Sequence, residues 1–113
     1  MDGAKEFINH TCSDLNVTLT VRERDTPGCT FRIEEFCLLI GECKKVCFGN
    51  ELNPFLDCIY ACYCNFGQCA KTELAVRKKG CEVDKFINHT PKILFLNAGP
   101  SIVISSLYWY HAC

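Results

Sequence analysis

No two cysteines in this chain are separated by two residues. That spacing makes the usual zinc pair and the thioredoxin-type redox motif, so neither is expected. No glycine-rich loop is placed to cradle a phosphate. Basic residues do not outnumber acidic ones: Lys and Arg total 12 against 13 for Asp and Glu, and the net charge is −1. A nucleic-acid partner, which needs a basic face, is therefore not expected. The most apolar stretch, residues 92–110, is broken by Asn97, Gly99, Pro100 and its serines, which argues against a membrane-spanning helix. Residues 1–11 lack the apolar core of a secretory leader and read as the loose start of a mature chain with an added Met1. The three histidines, His10, His89 and His111, have no neighbouring Ser or Asp set as a nucleophile–base pair. No enzyme, cofactor or metal centre is expected.

What the chain does have is cysteine. Eleven cysteines in 113 residues approach the density of a disulfide scaffold in a short secreted chain. At this length a single domain, 1–113, is expected, one that gains from covalent ties because it buries a modest share of its surface. Disulfides persist in oxidising spaces. Three Asn-x-Thr acceptor sequences, at Asn9, Asn16 and Asn88, are glycosylation signals that point to the same compartment. The expected location is secreted and extracellular.

Periodicity suggests a mixed fold. Val17, Leu19 and Val21 alternate with Thr18, Thr20 and Arg22, a half-buried strand. Asp25-Thr-Pro-Gly28 is a turn, and Cys29, Phe31 and Ile33 alternate again to complete an N-terminal β-hairpin. From Glu34 to Phe48 the period changes, and Phe36, Ile40, Cys43 and Cys47 form a helical stripe. Glu34 and Glu35 at its start and Lys44 and Lys45 at its end suit a helix dipole, and Gly49 can end it. Asn53-Pro54 reads as the cap and first residue of a second helix running to about Cys62. A rival reading stays open there: Leu56, Cys58, Tyr60, Cys62 and Cys64 also alternate with period two, as in a strand. Glu73–Arg77 reads as a short strand, with residues 81–87 pairing back against it. The apolar tail, 91–113, is split by Asn97-Ala-Gly-Pro100 and reads as a C-terminal β-hairpin. The pentapeptide Phe-Ile-Asn-His-Thr occurs twice, at 7–11 and 86–90, too short an echo for a repeat architecture. The expected fold class is α+β: a small disulfide-rich domain with a hairpin at each end and a stapled central helix or helical hairpin.

Ten cysteines are candidates for bridges: Cys12, Cys29, Cys37, Cys43, Cys47, Cys58, Cys62, Cys64, Cys69 and Cys81. Cys43/Cys47 and Cys58/Cys62 are each four residues apart, which places both members on one helix face. Two such helices packed antiparallel would bridge 43–62 and 47–58. If residues 58–64 are a strand, 43–62 and 47–64 are the more natural bridges, the arrangement of scorpion-toxin and defensin-like domains. Cys113 is left over and can link two chains. The twin Cys-x3-Cys pairs resemble the helical hairpins of small mitochondrial intermembrane-space chaperones, plant antimicrobial hairpins and some scorpion toxins. Separately, Cys64-Asn-Phe-Gly-Gln-Cys69 is similar to a segment of tick chemokine-binding evasins. The general style resembles arthropod salivary and venom-type secreted proteins, a resemblance that implies a binding or inhibitory role outside the cell.

Loops on a stapled scaffold are where recognition residues sit. The candidates are Arg22 and Arg24 in the loop between the first two strands, Arg77, Lys78 and Lys79 before Cys81, and Trp109 in the aromatic tail. The expected function is binding of another extracellular protein, as an inhibitor, scavenger or receptor ligand. The alternative is a toxin-like or antimicrobial domain acting on a channel or membrane.

Overall fold

The computed structural model describes residues 3–65 and 67–106. Among these the chain forms eight strands and one helix: β1 (Gly3–His10), β2 (Leu15–Arg22), β3 (Thr30–Leu38), β4 (Cys43–Phe48), β5 (Leu56–Asn65), β6 (Gln68–Ala75), α1 (Glu82–His89), β7 (Lys92–Ala98) and β8 (Ser101–Ser106). The strands make two four-stranded sheets, ordered β4-β1-β7-β8 and β3-β2-β5-β6. The molecule is therefore a nearly all-β, two-layer sandwich. This overturns the expected α+β class with its stapled central helix or helical hairpin.

Residues 3–10, expected to be loose, form an inner strand of the first sheet. β1 runs antiparallel to β4 and parallel to β7, with Phe7 opposite Lys44 on one side and Ile93 on the other. Phe7 points inward and meets Phe36 at 5.2 Å and Phe95 at 6.2 Å between ring centroids. The strand is hard to see in sequence because its other inward positions are polar. Lys5 is buried and donates to the Thr90 carbonyl at 2.7 Å. Asn9 is fully buried and completely used: its Nδ2 donates to the Ser13 and Leu38 carbonyls, and its Oδ1 accepts from the Thr11 N–H and hydroxyl. A buried amide satisfied on both sides costs little and fixes the chain around it.

In the second sheet β2 pairs with β3 as a hairpin and with β5 on its other side. Leu19 lies opposite Glu34 and Ile59, and Val17 opposite Phe36 and Ala61. The segment read as one helix, 34–48, is two strands in different sheets. Gly41, which would cost about 1 kcal/mol inside a helix, instead turns the chain between β3 and β4 at φ 75, where the Glu42 N–H donates to the Leu39 carbonyl. Beyond that turn Lys44, Val46 and Phe48 alternate in burial with Cys43, Lys45 and Cys47, a strand signal that the acidic start and basic end of the segment masked. Gly49, φ 67, ends β4 rather than a helix, and a side chain there would collide with the Asn53 carbonyl. Asn53-Pro54 caps no helix. Asn53 braces the loop by accepting from the Arg24 N–H, and β5 follows it, so the period-two reading of residues 56–64 holds.

The helix falls where a strand was expected. α1 carries Glu82 and Asp84 in its first turn, charges that suit the dipole. Val83, Phe86 and Ile87 turn one face to the core. That core joins both sheets and the helix through fourteen buried side chains, among them Phe7, Leu19, Leu38, Leu56, Ile59, Ile87 and Phe95.

The cysteines are placed by the sheets and not by helix faces. Cys64 and Cys69, directly opposite each other in the β5–β6 hairpin, are disulfide-bonded, and Cys43 is also disulfide-bonded. Cys12, Cys29, Cys37, Cys47, Cys58, Cys62 and Cys81 are free thiols. The expected pairs 43–62, 47–58 and 47–64 are therefore not formed. Cys47 lies on the edge strand of one sheet, while Cys58 and Cys62 share a strand of the other. Sheets stacked face to face lie about 10 Å apart, and outward side chains diverge further. Cys37 and Cys62 do share a row, but Asn16 stands between them. Two strand spacings, roughly 9–10 Å, exceed the Cα separation that a disulfide spans.

Candidate functional site

The sequence candidates in the chain's first and third quarters converge at one end of the sandwich. β2 ends at Arg22, and its register shifts against both β3 and β5 next to that residue. The residues skipped in the pairing, Phe31 and Asp57, lie on β3 and β5, so alternation continues through β2 and gives Arg22 the facing opposite to Val21. Arg22 is only 1% exposed. Its Nε donates to Asp57 Oδ1, one terminal nitrogen to Asp25 Oδ1, and the other to Asp84 Oδ1, each at 2.8 Å. The last nitrogen also reaches the Leu56 carbonyl at 3.2 Å. One guanidinium thus ties β2 to the start of β5 and to α1, using the planar fork that lets arginine serve several carboxylates at once.

The acids are held from their other sides. Asp57 Oδ2 accepts from the Gly28 N–H at 2.7 Å. Asp84 accepts from the Gly80 N–H at 2.7 Å and from Asn88 Nδ2 at 2.8 Å. Asn88 then clasps the Leu56 backbone, donating to its carbonyl at 2.9 Å and accepting from its N–H at 2.7 Å. Burial pushes the Asp84 carboxyl up, but the Gly80 N–H, Arg22 and Asn88 outweigh it and hold the group below its ordinary value. Burial opposes the charge on Arg22, and the three carboxylates reverse that and raise its pKa. Asp25 is lowered first by Lys79, whose Nζ lies 2.8 Å from it; burial opposes this next, and Arg22 adds to the lowering.

Lys79 therefore joins the 23–29 turn to the loop before α1. Above the Arg22 cluster lies a hollow of about 320 Å³, lined by Arg22, Asp25, Phe55, Lys79, Asp84, Lys85 and His89. The two loops joined by the Lys79–Asp25 pair carry the remaining candidates. Arg24 is exposed at a left-handed φ of 54, and Arg77, Lys78 and Lys79 are exposed in the facing loop. Arg22, expected as a loop residue available for binding, is instead the buried tie beneath them. Trp109 and Cys113 lie outside the described residues. Sequence reasoning missed Asp57 and Asp84. Their only signal is chemical: an arginine drawn into a core needs acidic partners.

The three acceptor asparagines differ in access. Asn16 is exposed on the outer face of β2. Asn88 is half-buried and spends its amide nitrogen on Leu56 and Asp84. Asn9 is fully buried with both donors used, so this packing leaves no room for a glycan on it. Among the thiols, burial and the neighbouring Glu73 push Cys58 up to about 11. At the start of α1, Cys81 is lowered by the Asp84 and Lys78 backbone. Among the described residues no group of three His, Cys, Asp or Glu side chains is set to hold a metal ion, and no helix is long and apolar enough to cross a membrane.

The fold and site define a two-sheet sandwich with a charged, loop-built end. No family model, curated protein or solved structure matches the chain. With β3, β4 and β5 in place of the twin helices, the resemblance to helical hairpins is overturned, and with no match found the resemblance to evasins falls with it.

Proposed function

We propose that the protein is a secreted module that binds another extracellular protein through the loop end of the sandwich, without catalysis. The observation that carries this reading is the convergence of the two loops around Arg22. Residues distant in sequence, Asp25 and Lys79, line one hollow and pair with each other above the buried ion network, and Arg24, Arg77 and Lys78 are exposed in the same two loops. Rigid loops on a closed core are the usual carriers of recognition, because little ordering entropy is lost on binding. Asn16, exposed on the opposite course of β2, is the asparagine best placed to carry a glycan in such a protein.

The test is a binding screen of the immobilised chain against an array of extracellular receptor domains and soluble ligands. A specific partner is expected. Arg77→Glu/Lys78→Glu should weaken it by about tenfold or more, while Lys45→Glu, exposed on β4 in the other sheet, leaves it unchanged. A partner insensitive to the first variant and sensitive to the second contradicts the assignment of the site.

A further inference from the structure

The sandwich has four edge strands, β4 and β8 in one sheet and β3 and β6 in the other. An unpaired edge is a template for another strand, and proteins commonly blunt it with charge. β4 carries Lys45 and β6 carries Lys71 and Glu73 among their exposed positions. β8 has no charged residue and exposes Val103 at 41%. β3 sets charge and apolar surface side by side: it carries Arg32, Glu34 and Glu35, with Ile33 60% exposed at its middle and Phe31 beside it at 37%, where the pairing to β2 shifts register.

The free part of this edge has definite limits. Lys44 Nζ donates to the Cys37 carbonyl at 3.0 Å, so that carbonyl faces away from β2 and is capped. By the two-residue alternation of a strand, the backbone groups of Glu35 and Ile33 face the same open side. At the other end the turn closes where the Glu23 N–H donates to the Cys29 carbonyl at 2.7 Å. Ile33 is the centre of the run between those two closures.

We propose that β3 pairs antiparallel with β3 of a second copy about a two-fold axis at Ile33, joining two four-stranded sheets into one. The charges select both the occupant and the register. With Ile33 opposite its own twin, Arg32 of each chain faces Glu34 of the other, on both sides of the axis. Shifting the axis to Arg32 sets two arginines opposite each other, and shifting it to Glu34 sets two glutamates opposite each other. Unlike pairs across strands stabilise and like pairs destabilise. Arg32 and Glu34 already meet within one chain at 3.1 Å, and both are braced on Gly49: the Arg32 fork donates to its carbonyl and its N–H donates to Glu34. They are therefore held at the edge where the second pair forms. The two Ile33 side chains cover each other on the outer face. This inference does not rest on the loop-end reading, which concerns other residues and a different partner.

Sedimentation velocity of the full chain across a concentration series, with reductant present to remove disulfide-linked species, tests it. A closed dimer is expected. Ile33→Lys, Arg32→Glu and Glu34→Arg should each raise the dissociation constant by about tenfold or more. The double variant Arg32→Glu/Glu34→Arg should return it to within about threefold of the parent, because the exchanged charges still face each other across the axis. Far-UV circular dichroism checks that each variant keeps its strands. A wild-type chain that stays monomeric, whether its edge takes a foreign strand or none, overturns the proposal. So do open-ended oligomers, or a dimer indifferent to all three single changes.

Discussion

Replacing Arg22 by methionine is the sharpest perturbation of the loop end. Methionine fills most of the arginine stem's volume but leaves Asp57 and Asp84 without their shared cation. Removing one partner of a buried ionic cluster costs roughly 3–5 kcal/mol. The lower part of that range applies, because Asp57 keeps the Gly28 N–H and Asp84 keeps Gly80 and Asn88. The Asp25 contact adds little, since its side chain is 42% exposed and also paired with Lys79. We therefore expect a loss of about 3 kcal/mol at pH 7, or roughly 10–15 °C in melting temperature for a chain of this size. Thermal and urea unfolding followed by circular dichroism measure it. The pH dependence has a definite sign. Asp84 is held below its ordinary value in the folded state, so its contribution is present above the unfolded carboxyl pKa of about 4 and disappears as pH falls through the lower folded value. The gap between Asp84→Asn and the parent should close on acidification. An Arg22→Met protein within about 1 kcal/mol of the parent at pH 7 would refute the reasoning, since it would mean the cluster is not the tie described.

Two further outcomes follow from buried groups elsewhere. Burial brings Lys5 down to about 8, so the unfolded chain binds more protons than the folded one between that value and the ordinary lysine pKa. Stability should rise with pH across this window, by roughly 2–3 kcal/mol relative to a Lys5→Met variant; a flat difference between the two proteins would show that Lys5 is not buried as charge. Among the thiols, iodoacetamide at pH 8 should alkylate Cys81 ahead of Cys58, since burial and Glu73 raise the latter to about 11 while backbone hydrogen bonds lower the former. Peptide mapping of timed samples gives the order, and the reverse order contradicts the two environments.

How far the fold was legible in sequence depended on which physical signal dominated locally. The β2–β3 hairpin was visible because Val17, Leu19 and Val21 are inward and their neighbours are tolerant threonines. β1 was invisible because its inward Lys5 and Asn9 look like surface. The Phe-Ile-Asn-His-Thr pentapeptide shows the limit most directly. In β1 its Phe7 faces the core and Asn9 closes a loop; in α1 Phe86 and Ile87 both pack on the core, and Asn88 binds the Leu56 backbone. The first four of these identical residues are strand in one copy and helix in the other, because packing partners override weak propensities. The segment 34–48 misled for the opposite reason. Its terminal charges mimic a helix dipole, while its real punctuation, Gly41, looked like an internal flaw. At the loop end, Arg24 and Arg77 to Lys79 were legible as exposed loop charge. Arg22 was not legible as a buried tie, because the acids that cover it, Asp25, Asp57 and Asp84, come from a turn, another strand and the helix, and periodicity within β2 carries no trace of them.

The claim on which the account turns is that an apolar core between two sheets, and not a set of staples between helices, holds this chain together. Differential alkylation of the native protein, followed by non-reducing mass mapping, tests it most directly. A Cys64–Cys69 bridge is expected, with Cys12, Cys29, Cys37, Cys47, Cys58, Cys62 and Cys81 recovered as free thiols. Bridges 43–62 and 47–58 would contradict it, since those cysteines cannot meet across the sandwich described.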